Sequence, residues 1–405
     1  MTDTMISLPR LVSTCADAAR RGCVVIRSVQ ARREAVLASA AEADGTAADA
    51  LREASSHGIQ YKVDGDPRSA LTEADGAAQE VILYCLRHRW GNLHIVGEED
   101  EEADAAAATN GSDGNNDDDQ PDVFARYGVP KPEDAALNED ILRAGSKHDV
   151  PLSSVTIFVD PMDGTREFVE GRLGNVQCLV GIVIDGQPVG GVVALPFFGG
   201  RTETEEGKKG GDIAEIQVVH ALLGEKPTLG RVSVSGVSST FDDLPFLAPA
   251  PANDDAAFPS TRRRLIILSG DSRKPEKDIA IGHLRNICSD EGVELDIWTA
   301  GGCGTKMMQL ALCAAASPGG SGKNAIAVMP RGTCSWDTAA PTAIFEAALQ
   351  QSAGAGYVSD FYGESLIYDG VNVTNKLGVL ASSGADTERW HTELCERLQK
   401  DKAVG

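Results

Sequence analysis

The stretch VTIFVDPMDGT, residues 155–165, decides the fold. Its first five residues, Val155 to Val159, are apolar and rich in β-branched side chains, a pattern typical of a buried strand. This apolar run ends abruptly at Asp160 and Asp163, two carboxylates three residues apart. Unpaired carboxylates at the end of a buried strand repel one another and are costly to desolvate. A hard divalent cation would therefore stabilise the pair.

The rest of the turn adds groups that suit a site for a phosphate ester. The backbone carbonyl of Met162 offers a neutral oxygen ligand, and Gly164 allows close backbone approach. Thr165 is expected to cap a following helix, whose N-terminal amides would face an anion. An ordinary Asp-Pro turn followed by a threonine cap explains the same residues, so the motif alone leaves both interpretations open.

Two further acids stand at predicted strand ends. Glu98 follows a short apolar strand predicted over 93–96, and Asp337 precedes a helix predicted over 338–348. In isolation, Glu98 is explained as a solvated loop acid and Asp337 as a simple N-cap. Three strand-end acidic elements in one chain favour a shared metal site instead.

The remaining pattern indicates a protein of mixed α and β structure. Apolar residues at three- and four-residue steps predict helices over 8–33 and 72–90. Asp185-Gly186 separates two apolar runs and predicts a hairpin. The last third alternates strand and helix, with strands over 265–268 and 325–329 and helices over 274–288 and 304–316, which is typical of an α/β layer.

Composition excludes several classes of function. The 405 residues carry a formal net charge of −23, which disfavours binding to nucleic acid or to an anionic membrane. No apolar run is long enough for a transmembrane helix, and residues 1–10 lack a secretory pattern, so we expect a cytoplasmic protein. Nine cysteines without a Cys-x-x-Cys pair predict reduced thiols rather than a zinc site. The acidic stretch 98–122 is expected to be a disordered, solvated insertion, because Asp and Glu crowd it. A Ca²⁺-binding loop is the alternative, but the stretch lacks the regular ligand spacing of such loops.

Together, the motifs resemble the lithium-sensitive, Mg²⁺-dependent phosphatases that include inositol monophosphatase. The matching segments are Gly97-Glu98-Glu99, DPMDGT over 160–165 and WDTAAP over 336–341. The resemblance implies a layered αβαβα sandwich of the inositol monophosphatase and fructose-1,6-bisphosphatase type. It implies an N-terminal α+β half over 1–235, with an acidic disordered insertion at about 99–150, and a C-terminal α/β half over 236–405. Further insertions are expected near 34–58, 200–215 and 244–262.

Within this family, the chain is most similar to the 3′(2′),5′-bisphosphate nucleotidases, which convert 3′-phosphoadenosine 5′-phosphate to AMP. The local matches are TEAD over 72–75, REFVEG over 166–171 and GGCGTK over 301–306. By this resemblance two or three Mg²⁺ ions bind, and Li⁺ inhibits by occupying one weakly held position. Asp75 and Thr165 are implied to orient and deprotonate the attacking water. The implied metal ligands are Glu98, Asp160, Asp163, Asp337 and the Met162 carbonyl.

The resemblance also assigns residues to the substrate, a small phosphorylated compound, and no obligate protein partner is expected. Ser272 and Ser269 stand where the closest relatives tend to carry histidine and threonine. An inositol polyphosphate 1-phosphatase or inositol monophosphatase shares the metal motifs and is the close alternative. A non-catalytic metal- or ligand-binding relative is the alternative of another class. The implied substrate-binding residues are Gly164, Thr165, Ser269, Ser272, Gly302 and Lys306.

Overall fold

The computed structural model describes residues 4–42, 59–61, 70–99, 122–132, 138–144, 149–198, 216–224, 227–233, 238–239, 263–315 and 324–404. Nearly all of the acidic stretch, and the insertions expected at 200–215 and 244–262, lie outside these residues. Within the described part, no helix combines the length and the apolar character needed to cross a membrane. None of the nine cysteines forms a disulfide, as the sequence predicted.

The described residues form nine α-helices, two short 3-10 helices (Leu152–Ser154 and Leu173–Asn175) and sixteen strands. The helices are α1 (Leu8–Glu42), α2 (Glu73–Arg89), α3 (Val123–Tyr127), α4 (Glu139–Ala144), α5 (Thr165–Val169), α6 (Pro275–Glu291), α7 (Cys303–Ala315), α8 (Ser335–Ser352) and α9 (Thr387–Val404). The strands are β1 (Met5–Ser7), β2 (Ile59–Tyr61), β3 (Ala70–Thr72), β4 (His94–Gly97), β5 (Asp149–Pro151), β6 (Val155–Asp163), β7 (Gln177–Ile184), β8 (Gln187–Leu195), β9 (Gln217–Leu222), β10 (Thr228–Ser233), β11 (Ser238–Ser239), β12 (Arg264–Ser269), β13 (Glu294–Thr299), β14 (Asn324–Met329), β15 (Gly356–Ser359) and β16 (Val379–Ser383).

Two large sheets organise the molecule. The seven-stranded sheet has the order β11-β10-β9-β8-β7-β6-β4 and is antiparallel except for the parallel pair β4 and β6. The five-stranded sheet has the order β13-β12-β14-β16-β15, with β13, β12 and β14 parallel. The carboxyl ends of these three parallel strands therefore share one edge, where α/β proteins place their ligands.

The helices complete five layers. Helices α1 and α2 pack on one face of the seven-stranded sheet, and α8 packs on its other face against β7 and β8. Helix α7 lies beside α8 and contacts the five-stranded sheet, whose outer face is covered by α6 and α9. This order is the αβαβα sandwich that the resemblance implied, and the fold prediction is confirmed.

Two glycines bring α8 unusually close to the first sheet. A Cβ atom on Gly191 would lie 2.2 Å from the carbonyl oxygen of Ala340, and one on Gly181 would lie 2.5 Å from the Cβ of Ala339. Only glycine leaves room for the helix backbone at these points. The close approach places the first turn of α8, which carries Asp337, beside the end of β6.

We predict that Gly191→Ala destabilises the protein by about 1–3 kcal/mol, because the added methyl group pushes against the backbone of α8 rather than a flexible side chain. Chemical denaturation measures the change in the free energy of unfolding. Gly174→Ala is the matched control, since no atom lies within 4 Å of the Cβ position there. Equal stability of the two variants would contradict the close packing of α8.

Part of the region predicted as a disordered insertion is folded. The expectation of disorder over 99–150 is wrong for α3, α4 and β5. Phe124 and Tyr127 of α3 are buried, and the Tyr127 hydroxyl donates a hydrogen bond to Glu73 Oε1 at 2.5 Å. Strand β5 pairs with β1. The acidic composition favours a prediction of disorder. Two buried aromatic side chains are nevertheless enough to anchor the short helix α3.

A buried histidine gives the fold a pH-dependent term. His391 lies between the hydroxyl groups of Ser359 and Ser382, at 2.8 and 2.9 Å, and burial lowers its pKa to about 4. Since the unfolded state takes up the proton near pH 6.5, the stabilisation is complete above pH 6.5 and is lost as the pH falls toward 4.

We therefore predict that the free energy of unfolding falls by up to about 3 kcal/mol over this window through His391. His391→Gln should flatten the pH dependence measured by denaturation in the presence of EDTA. A slope identical to that of the wild type between pH 6.5 and 4 would show that His391 does not contribute.

Candidate metal centre

Three carboxylates from two elements meet at one point. Asp160 and Asp163 lie at the end of β6, where the pairing with β7 shifts register between them, and Asp337 lies in the first turn of α8. One oxygen of each carboxylate lies within 4.8 Å of the others. Asp160 and Asp163 are buried, and Asp337 is partly exposed. The register shift lets two acids of one strand face the same point.

The electrostatics of this cluster are unfavourable without a cation. Burial, reinforced by the charges of Glu98, Asp163 and Asp337, raises the pKa of Asp160 well above its usual range. Burial and the charges of Asp163 and Glu98 raise the pKa of Asp337 in the same way. A divalent cation removes this penalty by supplying positive charge to all of the oxygens at once, so the donor set fits a hard metal ion.

Backbone amides hold each acid in place. The Met162 amide donates to Asp160 Oδ1 at 3.0 Å. The amides of Cys303 and Gly304 donate to the two oxygens of Asp163, at 3.0 and 2.7 Å. These bonds, together with the charge of Lys306, oppose the burial that raises the pKa of Asp163.

Asp337 lies in the first turn of its helix, as the third helical residue. The sequence placed the start of the helix after Asp337, but α8 begins at Ser335, and Asp337 occupies the third position of a capping box with Cys334. The Cys334 amide donates to Asp337 Oδ2. Asp337 is therefore not the N-cap. It belongs to the helix itself, and from there its carboxylate reaches those of Asp160 and Asp163.

Glu98 lies at the neighbouring strand end but does not join the set of three mutually close oxygens. Its amide donates to the carbonyl oxygen of Val159 at 3.1 Å, which extends the parallel pairing of β4 with β6. Its charge contributes to the raised pKa values of Asp160 and Asp75. The charge of Glu98 thus acts on the cluster, although its carboxylate lies outside the three mutually close oxygens.

Asp75 and Thr165 form a direct pair beside the cluster. The Thr165 hydroxyl lies 2.9 Å from Asp75 Oδ1 and 3.1 Å from the carbonyl oxygen of Met162. The other oxygen of Asp75 accepts hydrogen bonds from the amide and the hydroxyl of Thr72, both at 2.7 Å. Burial raises the pKa of Asp75 to about 7, although the bonds from Thr72 and Thr165 oppose the shift.

Thr165 is not the helix cap that the sequence predicted. Gly164 is the N-cap of α5, with a φ of 89°, and Thr165 is the first helical residue. A Cβ on Gly164 would lie 2.7 Å from the carbonyl oxygen of Asn175. Both the positive φ and this close approach therefore require glycine. The Thr165 hydroxyl does not cap the helix and donates to Asp75 instead.

Apart from Gly164 and Thr165, the implied substrate residues lie in the C-terminal half, on or next to two turns. Gly302 has a φ of 70°, and a Cβ there would lie 2.6 Å from Asp163 Oδ2. Lys306 is buried, and its ammonium group donates to the carbonyl oxygens of Ala300, at 3.3 Å, and of Gly302. Lys306 therefore fixes the glycine-rich turn that carries the amides bound to Asp163.

The two serines face different surroundings. The Ser269 hydroxyl is buried and lies 3.5 Å from the carbonyl oxygen of Val328 in the neighbouring strand β14. The Ser272 hydroxyl is buried and makes no hydrogen bond with the described residues. The Ser272 hydroxyl therefore has a donor and an acceptor that no described residue uses, whereas the Ser269 hydroxyl points toward the neighbouring strand.

One residue that shapes the Glu98 turn, Gln79, was not predicted from the sequence. Gln79 Oε1 accepts the Glu99 amide at 3.1 Å and would lie 2.7 Å from a Cβ on Gly97. Gln79 lies four residues after Asp75, so both side chains project from one face of α2. That spacing was the available signal.

The comparisons with known proteins agree with the geometry. A family model described as "Inositol monophosphatase family" matches residues 32–403. The chain is 29% identical over 184 residues to 3′(2′),5′-bisphosphate nucleotidase 1 of Dictyostelium discoideum, a match of 44% of this chain and 49% of that protein. It is 24% identical over 315 residues to 3′(2′),5′-bisphosphate nucleotidase 1 of Rattus norvegicus, 77% of this chain and 78% of that protein.

The first of these matches spans about half the length of the relative. Among solved structures, CysQ from Bacteroides thetaiotaomicron, a bacterial member of the inositol monophosphatase family, has a TM-score of 0.47 and 17% identity, with coverage of 93% of this chain and 98% of that chain. Because the family model covers most of the sequence, the chain belongs to the inositol monophosphatase family.

Proposed function

We propose that the chain is a Mg²⁺-dependent phosphomonoesterase that hydrolyses 3′-phosphoadenosine 5′-phosphate to AMP and phosphate. The observation that supports this most is the position of the Asp75–Thr165 pair beside the cluster of Asp160, Asp163 and Asp337. The names of the relatives support a nucleotide as the substrate. A cytoplasmic location is part of the proposal, since nine cysteines without a disulfide suit a reducing compartment.

In this proposal Asp160, Asp163, Asp337, Glu98 and the Met162 carbonyl hold two or three Mg²⁺ ions. When bound, the ions neutralise the phosphate oxygens, lower the pKa of the attacking water and stabilise the leaving alkoxide. The protein holds the acids in fixed directions through the amide bonds described above, so little reorganisation accompanies the reaction.

Asp75 and Thr165 then move the proton. The Thr165 hydroxyl is a poor base alone, but at 2.9 Å from Asp75 it can accept the proton of the water while it passes its own proton to the carboxylate. In the metal-free protein burial raises the pKa of Asp75 to about 7, which makes the carboxylate a better proton acceptor than an exposed one. Direct attack by water requires no phosphorylated side chain.

The C-terminal turns are proposed to bind the rest of the substrate. Ser272 offers an unpartnered hydroxyl, and Lys306 brings a positive charge to the glycine-rich turn at Gly302. Ser269 is the weakest member of this group, because its hydroxyl points toward β14.

A substrate panel tests the proposal. We expect Mg²⁺-dependent release of inorganic phosphate from 3′-phosphoadenosine 5′-phosphate, loss of release in EDTA, and inhibition by millimolar Li⁺. Asp163→Asn should abolish the release. If only inositol 1,4-bisphosphate or inositol 1-phosphate is hydrolysed, the nucleotide assignment is wrong and the inositol alternative holds. If no compound is hydrolysed with Mg²⁺, the chain is a non-catalytic relative.

A further inference from the structure

Helix α5 follows Asp160 and Asp163 directly in the chain, and its Arg166 contacts the C-terminal half. One guanidinium nitrogen of Arg166 donates to both carboxylate oxygens of Asp271, at 2.9 and 2.7 Å. A second nitrogen donates to Glu170 at 2.7 Å, which fixes the direction of the side chain. The ion pair thus joins the helix that begins at Thr165 to the turn 269–272.

The next residue of α5 makes a second connection. Glu167 is buried and accepts two hydrogen bonds from Arg172, at 2.7 and 2.6 Å, and one from Asn175 at 3.0 Å. A Cβ on Gly301 would lie 2.1 Å from Glu167 Cδ, so the glycine-rich turn packs directly on this carboxylate. Arg166 and Glu167 therefore hold α5 against both turns that are proposed to bind the substrate.

Asp271 also forms a wall of a cleft of about 530 Å³. The cleft opens at the carboxyl ends of the parallel strands β12 and β13, where Ser269 and Thr299 lie, and Ile281 and Ile297 supply apolar surface. Its volume lies in the range of pockets that hold a small organic ligand. Asp271 therefore helps to shape this cleft, and its turn approaches the glycine-rich turn, since a Cβ on Gly270 would lie 3.9 Å from Lys306 Nζ.

We propose that Arg166 and Asp271 are positioning residues for substrate affinity. This inference rests on the proposed function, and it assigns the leaving group of the substrate to the cleft that Asp271 lines. The ion pair holds the turn 269–272 at a fixed distance from α5 and from Asp160 and Asp163, which precede this helix. The acids themselves are oriented by separate amide bonds, so loss of the pair weakens binding of a large leaving group and spares the chemical step.

Two variants test the pair. In Asp271→Asn we expect KM for 3′-phosphoadenosine 5′-phosphate to rise about five-fold, near the limit for an exposed ion pair, with kcat within about two-fold of the wild type. For p-nitrophenyl phosphate, whose leaving group is small, kcat/KM should stay within about two-fold. The exchanged pair Arg166→Asp/Asp271→Arg should recover most of the lost affinity, and Asp290→Asn, an exposed acid on α6, should change neither substrate.

Unchanged KM in Asp271→Asn, or an equal loss on both substrates, would overturn the proposal. The wild type is assayed first, so a wrong nucleotide assignment is recognised before any variant is made. In that event inositol 1,4-bisphosphate serves as the large substrate. The Kd of AMP, measured by calorimetry, repeats the comparison without turnover: the same Kd in wild type and Asp271→Asn would also contradict the role of the pair.

Discussion

Replacing Asp160 with asparagine is expected to make the metal-free protein more stable while it abolishes hydrolysis. Asp160 is 1% exposed, and the charges of Glu98, Asp163 and Asp337 all oppose its ionisation. Asparagine keeps the oxygen that accepts the Met162 amide but removes one negative charge from the cluster. We expect the melting temperature in EDTA to rise by about 2–4 °C, since the mutual repulsion is reduced.

The same change removes a proposed metal ligand, so kcat/KM should fall by at least about a thousand-fold. Thermal melting with and without Mg²⁺, together with phosphate release, measures both effects. Asp149→Asn is the matched control, because Asp149 is an exposed acid on the short strand β5. A variant that loses stability in EDTA, or one that retains activity, would contradict a cluster of repelling acids built for a cation.

The second large effect is expected at the pair of Asp75 and Thr165. Removing the hydroxyl in Thr165→Val should lower kcat by about 10²–10⁴, the usual contribution of a positioned proton acceptor. Asp75→Asn should cost a similar factor, and the double variant should be little worse than either, because the two groups act as one unit.

Single-turnover kinetics and Mg²⁺ calorimetry separate this role from metal binding. The Thr165→Val variant should bind Mg²⁺ with the affinity of the wild type, since it retains all three clustered carboxylates, Asp160, Asp163 and Asp337. Asp75→Asn also disturbs the capping box at the start of α2, so its stability is measured alongside. Multiplicative losses in the double variant would show that the two side chains act independently.

Local sequence patterns predict many of the strands and helices of the fold. Strand β6 and the hairpin at Asp185-Gly186 follow directly from runs of apolar residues and a turn signal. The acids at strand ends were visible because parallel strands expose their carboxyl ends at one edge. The resemblance supplied the order of the layers, which depends on how α8 packs between the sheets, and local periodicity does not encode that contact.

The support of the site depends on contacts between distant residues. Asp163 is held by amides 140 and 141 residues away, and Arg166 meets Asp271 across 105 residues. No local pattern marks such partners, because an exposed arginine or a glycine-rich turn has many ordinary explanations. The early start of α8 and the folded parts of the acidic insertion were missed for the same reason, since tertiary contacts outweighed local composition.

Anomalous scattering from crystals soaked in Mn²⁺, which takes the oxygen ligands of Mg²⁺, locates the metal itself. If the three carboxylates bind the metal, we expect an anomalous peak within roughly 2.5 Å of oxygens of Asp160, Asp163 and Asp337, and no peak there in Asp160→Asn. A peak bound elsewhere, with these three carboxylates free of metal, would contradict this metal site.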